Sequence, residues 1–167
     1  MSEESMTEDE LEELTERRHR EEVWEAIRQA FESRVRPPTP LTYQGWPVAE
    51  DVEETLSDKE WHTVTGLDLQ RVRIDINSLT PDAFWYYFRS FAHHSLLMDE
   101  ATDDPGGWMV SALTPPKKAH SERFVERIEA LSPEERSAVS RFIHWYDGET
   151  NLVDRDRLFT LWPAQDL

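Results

Sequence analysis

The stretch Leu79–His94, LTPDAFWYYFRSFAHH, sets six aromatic side chains and two adjacent histidines within sixteen residues. Its head reads as a helix start. Thr80 is suited to the N-cap, and Pro81 to the first helical position, where its missing amide removes no hydrogen bond. Advancing about 100° per residue, Phe84, Phe88, Phe91 and Ser95 fall on one face, with Tyr87 and Met98 beside them. Trp85 and Leu96 lie off that stripe, and Tyr86, Arg89 and His93 form a third line at spacings of three and four. A helix that is apolar around most of its circumference is surrounded by other elements. The segment is therefore expected to run to about Asp99 as the central helix of a mainly α domain.

The flanking sequence supplies the helices that would surround it. Val23, Ile27, Ala30 and Phe31, with Trp24 beside Val23, carry helical periodicity, and the spacing predicts a helix over 7–33 that ends before Arg36–Pro40. Its head is acidic and frayed before Leu11, its tail richer in arginine, which suits the helix dipole. AEDVEETL predicts a short acidic helix, and Ser57 with Glu60 three residues on predicts a capping box. LQRVRIDI alternates Val72, Ile74 and Ile76 with charged residues, and reads as a short strand or an extended segment lying on helices. TDDPGG breaks the central helix, and WMVSALTPP follows as a brief helical or extended piece. A helix over 121–131 would bury Phe124, Val125, Ile128 and Leu131. Ser132, Pro133 and Glu135 start another, with Val139, Phe142, Ile143 and Tyr146 as its stripe and Gly148 as its end. DRDRLFTLW closes the chain as one more short helix. The expected organisation is a disordered acidic N-terminus over 1–10, then a single compact domain over 11–167. That domain has about five to six helices and at most one short extended segment, and 167 residues suffice for its core.

Charge narrows the function. The chain has 35 acids against 18 bases, a formal charge of −17, which repels nucleic acid and anionic membrane and attracts basic partners. The sequence shows no basic patch of the kind a nucleic-acid binder needs. No window approaches the roughly 18 apolar residues of a membrane span, and MSEESMTEDELEEL lacks the basic start and apolar run of a signal peptide. A cytoplasmic location is expected. The acid excess fits a binding surface or the solvated surface of a halophilic protein.

Catalytic signatures are missing. There is no cysteine for thiolate chemistry, no Gly-x-Ser-x-Gly elbow, and the five glycines form no phosphate-cradling loop. His93 and His94 point about 100° apart on a helix and do not chelate one metal. Glu16 and His19 share a Glu-x-x-His spacing, but a di-iron bundle needs a second such motif and further glutamates. No catalytic residue, metal ligand or cofactor is expected.

Three segments in order, WEAIRQAFESRVRPP, LTPDAFWYYFRSFAHHSLL and LSPEERSAVSRFIHWY, resemble an uncharacterised family of small bacterial proteins, a domain of unknown function. The resemblance spans roughly Val23–Tyr146, and the Ala-Phe-x-Tyr-Tyr core is its most specific part. Family members often continue that core with Leu-Pro-Ala, where this chain has Phe88, Arg89 and Ser90, which implies a straighter helix here. The family carries no established activity to transfer. Its small acidic members resemble immunity proteins of toxin systems.

The function expected from these readings is a non-enzymatic protein-binding domain, immunity- or antitoxin-like, that masks a basic partner such as a toxin. The candidate contacts on 50–60 are Asp51, Glu54 and Asp58, and those on 99–104 are Asp99, Glu100, Asp103 and Asp104. Trp46 and Trp108 would serve as aromatic anchors, and Tyr86, Arg89 and His93 as the minor line of the central helix. Two other classes stand beside this one: a structural or regulatory helical module that self-associates, and a metal-dependent enzyme.

Overall fold

In the computed structural model, residues 5–45, 49–98, 104–117, 121–149 and 154–164 are described. The central helix, α4, spans Pro81–Leu97, with Thr80 at its N-cap and Pro81 in the first turn. Every residue from Ala83 to Ala92 is buried, so α4 is enclosed on all sides as its composition demands. It stops at Met98, one residue short of the expected end, and Met98 is 40% exposed rather than packed beside the phenylalanine stripe. The helix is unbroken through Phe88–Ser90.

One long helix lies along α4 and a second lies along the first. The first, α1, spans Glu8–Ala30 and the second, α7, spans Pro133–Glu149. Phe31 of α1 meets Trp85 and Phe88 at ring-centroid distances of 6.1 and 5.3 Å, while Trp24 meets His93 at 4.9 Å. Hence α1 runs antiparallel to α4. Phe142 of α7 packs on Phe88 at 5.6 Å, and Arg34, just past α1, pairs with Glu135 at the start of α7, so α7 is antiparallel to α1 as well. The expected stripe of Val139, Phe142, Ile143 and Tyr146 is buried. The expected capping box is present: the Ser132 amide donates to Glu135 at 3.0 Å, and the Glu135 amide to the Ser132 hydroxyl at 3.1 Å.

The shorter helices close the remaining sides. They are α2 (Ala49–Leu56), α3 (Gly66–Val72), α5 (Pro105–Leu113), α6 (Glu122–Glu129) and α8 (Arg155–Leu161), with 3-10 turns at Trp61–Thr63 and Arg73–Ser78. Eight α-helices and no strand are present among the described residues. A single bridge between Thr42 and Leu79 is the extended contact. Trp162, fully buried after α8, donates its indole N–H to the Leu113 carbonyl at 3.0 Å and ties the C-terminal segment to α5.

Several expectations shift. Thr7 and Glu10 form a capping box, the Thr7 amide donating to Glu10 at 2.8 Å and the Glu10 amide to the Thr7 hydroxyl at 3.2 Å. The helix therefore starts at Glu8, within the expected 7–33, and is capped rather than frayed before Leu11. The segment read as a strand or extended piece is α3 followed by a 3-10 turn. Leu69, Val72 and Ile76 are buried at spacings of three and four, whereas Ile74 is 80% exposed. The capping box lies at Thr65 and Asp68, not at Ser57 and Glu60, because the Ser57 amide closes the last turn of α2 on the Glu53 carbonyl and the Glu60 carboxylate accepts from the Tyr86 hydroxyl. The residues Pro105 and Gly106, read as a break, open α5, with Asp104 as N-cap. Val125 of α6 is 44% exposed, and Arg127 turns inward in its place. The last long helix runs to Glu149, one residue beyond Gly148.

Candidate functional site

The acids of α2 are sorted by its own amphipathicity. Val52 and Leu56, four apart, turn into the core, which sends Glu50, Asp51 and Glu54 outward. Glu53 turns sideways. One of its carboxylate oxygens accepts from the amides of Leu41 and Thr42 and from the Thr42 hydroxyl, so it anchors the incoming chain. Asp58 follows the helix and is exposed. Together with the loop residues Pro40 and Tyr43, Glu50, Glu53 and Glu54 line a shallow concavity of about 320 Å³.

Packed beside α2 are α3 and the 3-10 turn after it. Their outward line is Leu67, Arg71 and Ile74, with Leu67 58% and Ile74 80% exposed. On one flank stands Asp75, whose carboxyl is pushed above its usual range by burial and by the nearby charge of Asp51. On the other flank, Trp108 of α5 lies under the Arg73 guanidinium at 5.3 Å. Around this seam of two exposed apolar side chains, Asp51 lies near Asp75 and half-buried Trp108 beside Arg73, while Glu54 and Asp58 are exposed on and just after the adjoining α2.

The Tyr86–Arg89–His93 line goes elsewhere. Tyr86 and Arg89 are 2% and 5% exposed, and their polar atoms are used within the protein. The Tyr86 hydroxyl donates to the Glu60 carboxylate and accepts from the Trp61 amide at 3.3 Å. The Arg89 guanidinium donates to the Arg34 carbonyl at 3.0 Å and lies 4.8 Å over the Tyr86 ring and 5.2 Å over Trp61. Burial lowers the guanidinium's proton affinity. His93 is half-buried against Trp24 and Trp61, and burial, followed by the neighbouring His94, holds it below the usual imidazole range. His94 meets the Val64 carbonyl through Nε2 at 3.0 Å. The line clasps α1 and the Trp61–Thr63 turn onto α4. Tyr86 and Arg89 are therefore withdrawn as partner contacts.

Asp104 is exposed yet engaged: it accepts from the Gly107 amide at 2.9 Å and from the Tyr146 hydroxyl. Trp46, Asp99, Glu100 and Asp103 lie outside the described residues. Among the described residues no group of three His, Asp or Glu side chains is placed to hold a metal ion, and no helix is long and apolar enough to cross a membrane.

Two features escape sequence reasoning. Arg127 is 4% exposed, lies 4.0 Å over the Phe84 ring, and donates to Asn77 at 2.9 Å and to the Ala112 carbonyl at 3.2 Å. Burial pulls it down to about 10. Its neighbours come from three other elements, so no local pattern announces it. The outward seam of Leu67 and Ile74 is visible only once the segment is read with helical spacing.

The profile of the Family of unknown function (DUF6714) matches residues 19–163. The chain belongs to this family. No curated protein and no solved structure matches the chain. The DUF6714 match takes in α2, α3 and α5, hence the whole acid-flanked seam. It opens at His19, one residue before Arg20, the first side chain of α1 to be even partly covered.

Proposed function

We propose that this DUF6714 chain is a bacterial, cytoplasmic, non-enzymatic protein-binding domain, of the immunity or antitoxin kind, that masks a basic partner. The observation that carries the reading is the seam beside α2. Asp51, Glu54 and Asp58 face outward and form no ion pair among the described residues, next to an isoleucine that is 80% exposed. Exposed apolar side chains supply the desolvated contact of an interface, and uncompensated charge around them steers the encounter and selects its sign. Trp108, held at the edge by Arg73, fits the role of aromatic anchor.

The test is purification from the native host at low salt, with wild type run beside Ile74→Asp and Asp51→Asn/Glu54→Gln. A basic protein in stoichiometric amount with wild type, and absent with both variants, is the expected result. Recovery of the wild-type chain alone, or of the same partner with both variants, refutes the proposal.

Arg71 favours a second reading, self-association. It is exposed between Leu67 and Ile74, on the helix that packs against acidic α2, so the face carries both signs. Two copies about a twofold axis would pair Arg71 of each with the acids of the other. Light scattering separates the readings: a stable homo-oligomer dispersed by Arg71→Glu supports this one, and a monomer removes it.

A further inference from the structure

The first three turns of α1 stand free of the body. Every residue from Ser5 to His19 is exposed, Arg20 is the first to be partly covered, and Val23 is the first to be buried. Glu8–His19 therefore projects by about 18 Å at 1.5 Å per residue. A lone helix of this length is marginal in water. Here it continues a packed helix and is closed at the other end by the Thr7–Glu10 capping box, with Glu8, Asp9 and Glu10 against the positive end of the helix dipole. The arm is thus held straight before it meets anything.

Two leucines on it are not covered by the body of the fold. Leu11 and Leu14 are 55% and 40% exposed. At 100° per residue they lie roughly half a turn from the Val23–Ile27 stripe that faces the core, so a longer body would not cover them. Around them, Glu8, Asp9, Glu10, Glu12, Glu13 and Glu16 occupy the arm with no basic residue before Arg17. Among the described residues the ion pair there, Glu13 with Arg17 at 3.7 Å, is largely exposed. A second copy aligned in parallel would meet the arm with like charge. The DUF6714 match begins only at residue 19, so the arm is an addition to what the family profile describes.

We infer that Glu8–His19 is a docking arm that lays its Leu11–Leu14 face into an apolar groove rimmed by lysine or arginine on a partner protein. This rests on the basic-partner reading above and adds a second contact to it, separate from the α2–α3 seam. An amphipathic helix read through residues three and four apart is a recurrent way of filling such a groove. A helix already formed loses less conformational entropy on docking than a disordered segment would.

The test uses the full-length chain and two labelled synthetic peptides of equal charge, a helical Lys/Leu amphipath and a Lys/Ser control, with binding followed by fluorescence anisotropy at low salt. The variants are Leu11→Ser/Leu14→Ser on the arm and Leu67→Ser/Ile74→Ser on the seam. Both pairs are exposed, so unchanged thermal unfolding confirms that each variant is folded. The arm variant is expected to bind the Lys/Leu peptide about tenfold more weakly than wild type, and the Lys/Ser peptide equally well. Wild-type affinity of the arm variant for the Lys/Leu peptide overturns the docking arm. If the seam variant alone weakens binding in that case, the basic-partner reading survives on the seam. If neither variant differs from wild type and both peptides bind alike, the arm and the basic-partner reading fail together.

Discussion

Replacing Phe88 by alanine tests the geometry from which both proposed contacts were placed. The ring is fully buried and lies at centroid distances of 5.3 Å from Phe31, 5.4 Å from Trp85 and 5.6 Å from Phe142. It is thus the point where α1, α4 and α7 meet. Truncating a core phenylalanine costs about 3–5 kcal/mol through lost transfer energy and the cavity left behind. Three aromatic pairs are lost with the ring, each worth about 0.5–1.5 kcal/mol beyond its area, which places Phe88→Ala near the top of that range, at about 4–5 kcal/mol. His93→Ala, at a half-buried site that meets Trp24, Trp61 and His94 edgewise, is expected to cost about 1 kcal/mol. Urea unfolding followed by tryptophan fluorescence reads both. With a slope of about 2 kcal/mol/M, Phe88→Ala moves the midpoint down by about 2 M and His93→Ala by about 0.5 M. If Phe88→Ala leaves too little folded protein to measure, Phe88→Leu replaces it, with an expected cost of about 1–2 kcal/mol. A larger loss for His93→Ala than for Phe88→Ala, or a Phe88→Ala cost below about 1.5 kcal/mol, refutes this facing of the central helix.

Gly107→Ala should destabilise by about 1–3 kcal/mol, the range for overpacking. A Cβ there would meet the Asp104 carboxylate and lie 2.7 Å from the Tyr146 hydroxyl. An open helical site would gain about 1 kcal/mol from the same change, so a raised melting temperature contradicts the packing of α5 on α7. Asp68 gives a pH-dependent case. Burial disfavours its charge, yet the Lys59 ammonium and the Thr65 amide and hydroxyl outweigh burial and hold the carboxyl below its usual range. A carboxyl with a depressed folded-state value contributes stability above the unfolded value, near pH 3.9, and loses it as pH falls. The stability gap between wild type and Asp68→Asn should be constant near neutral pH and shrink on acidification below about pH 4. A gap that does not change with pH counts against the Lys59–Asp68 contact.

The parts of the fold legible in the sequence are those where local chemistry and tertiary packing agree. Ser132, Pro133 and Glu135 announce α7 by a capping box that needs no other element, and the stripe behind them repeats at helical spacing. The segment from Leu67 to Ile76 is different. Val72 and Ile76 fit both a strand and a helix, and Ile74 is the residue on which the strand pattern depends, yet it faces solvent. Ser57 and Thr65 each have a carboxylate three residues on, and Ser57 loses the role because it closes α2 and because Tyr86, distant in sequence, takes the Glu60 carboxylate. On α6, Val125 and Arg127 exchange the places that hydropathy gives them, because the Ala112 carbonyl and Asn77 wait for a guanidinium from outside the helix. The acidic character of α2 is plain from AEDVEETL. That Glu53 fastens a loop while Glu54 faces water depends on the loop at Leu41 and Thr42, which carries no local signature.

The partnership of α1 with α7 also sets a schedule for biosynthesis. Arg34 and Glu135 are 101 residues apart, so at about 5–20 residues per second the ribosome adds the second of them roughly 5–20 s after the first. Throughout that interval Ile27 and Phe31 have been synthesised while α7, which covers one side of them, does not yet exist. The nascent chain carries an exposed greasy stripe for most of its translation, and closing the core is among the last events of its manufacture. The six acids between Glu8 and Glu16 emerge before that stripe and carry the same sign on every ribosome of a polysome. They keep neighbouring nascent chains apart by charge repulsion until each can fold.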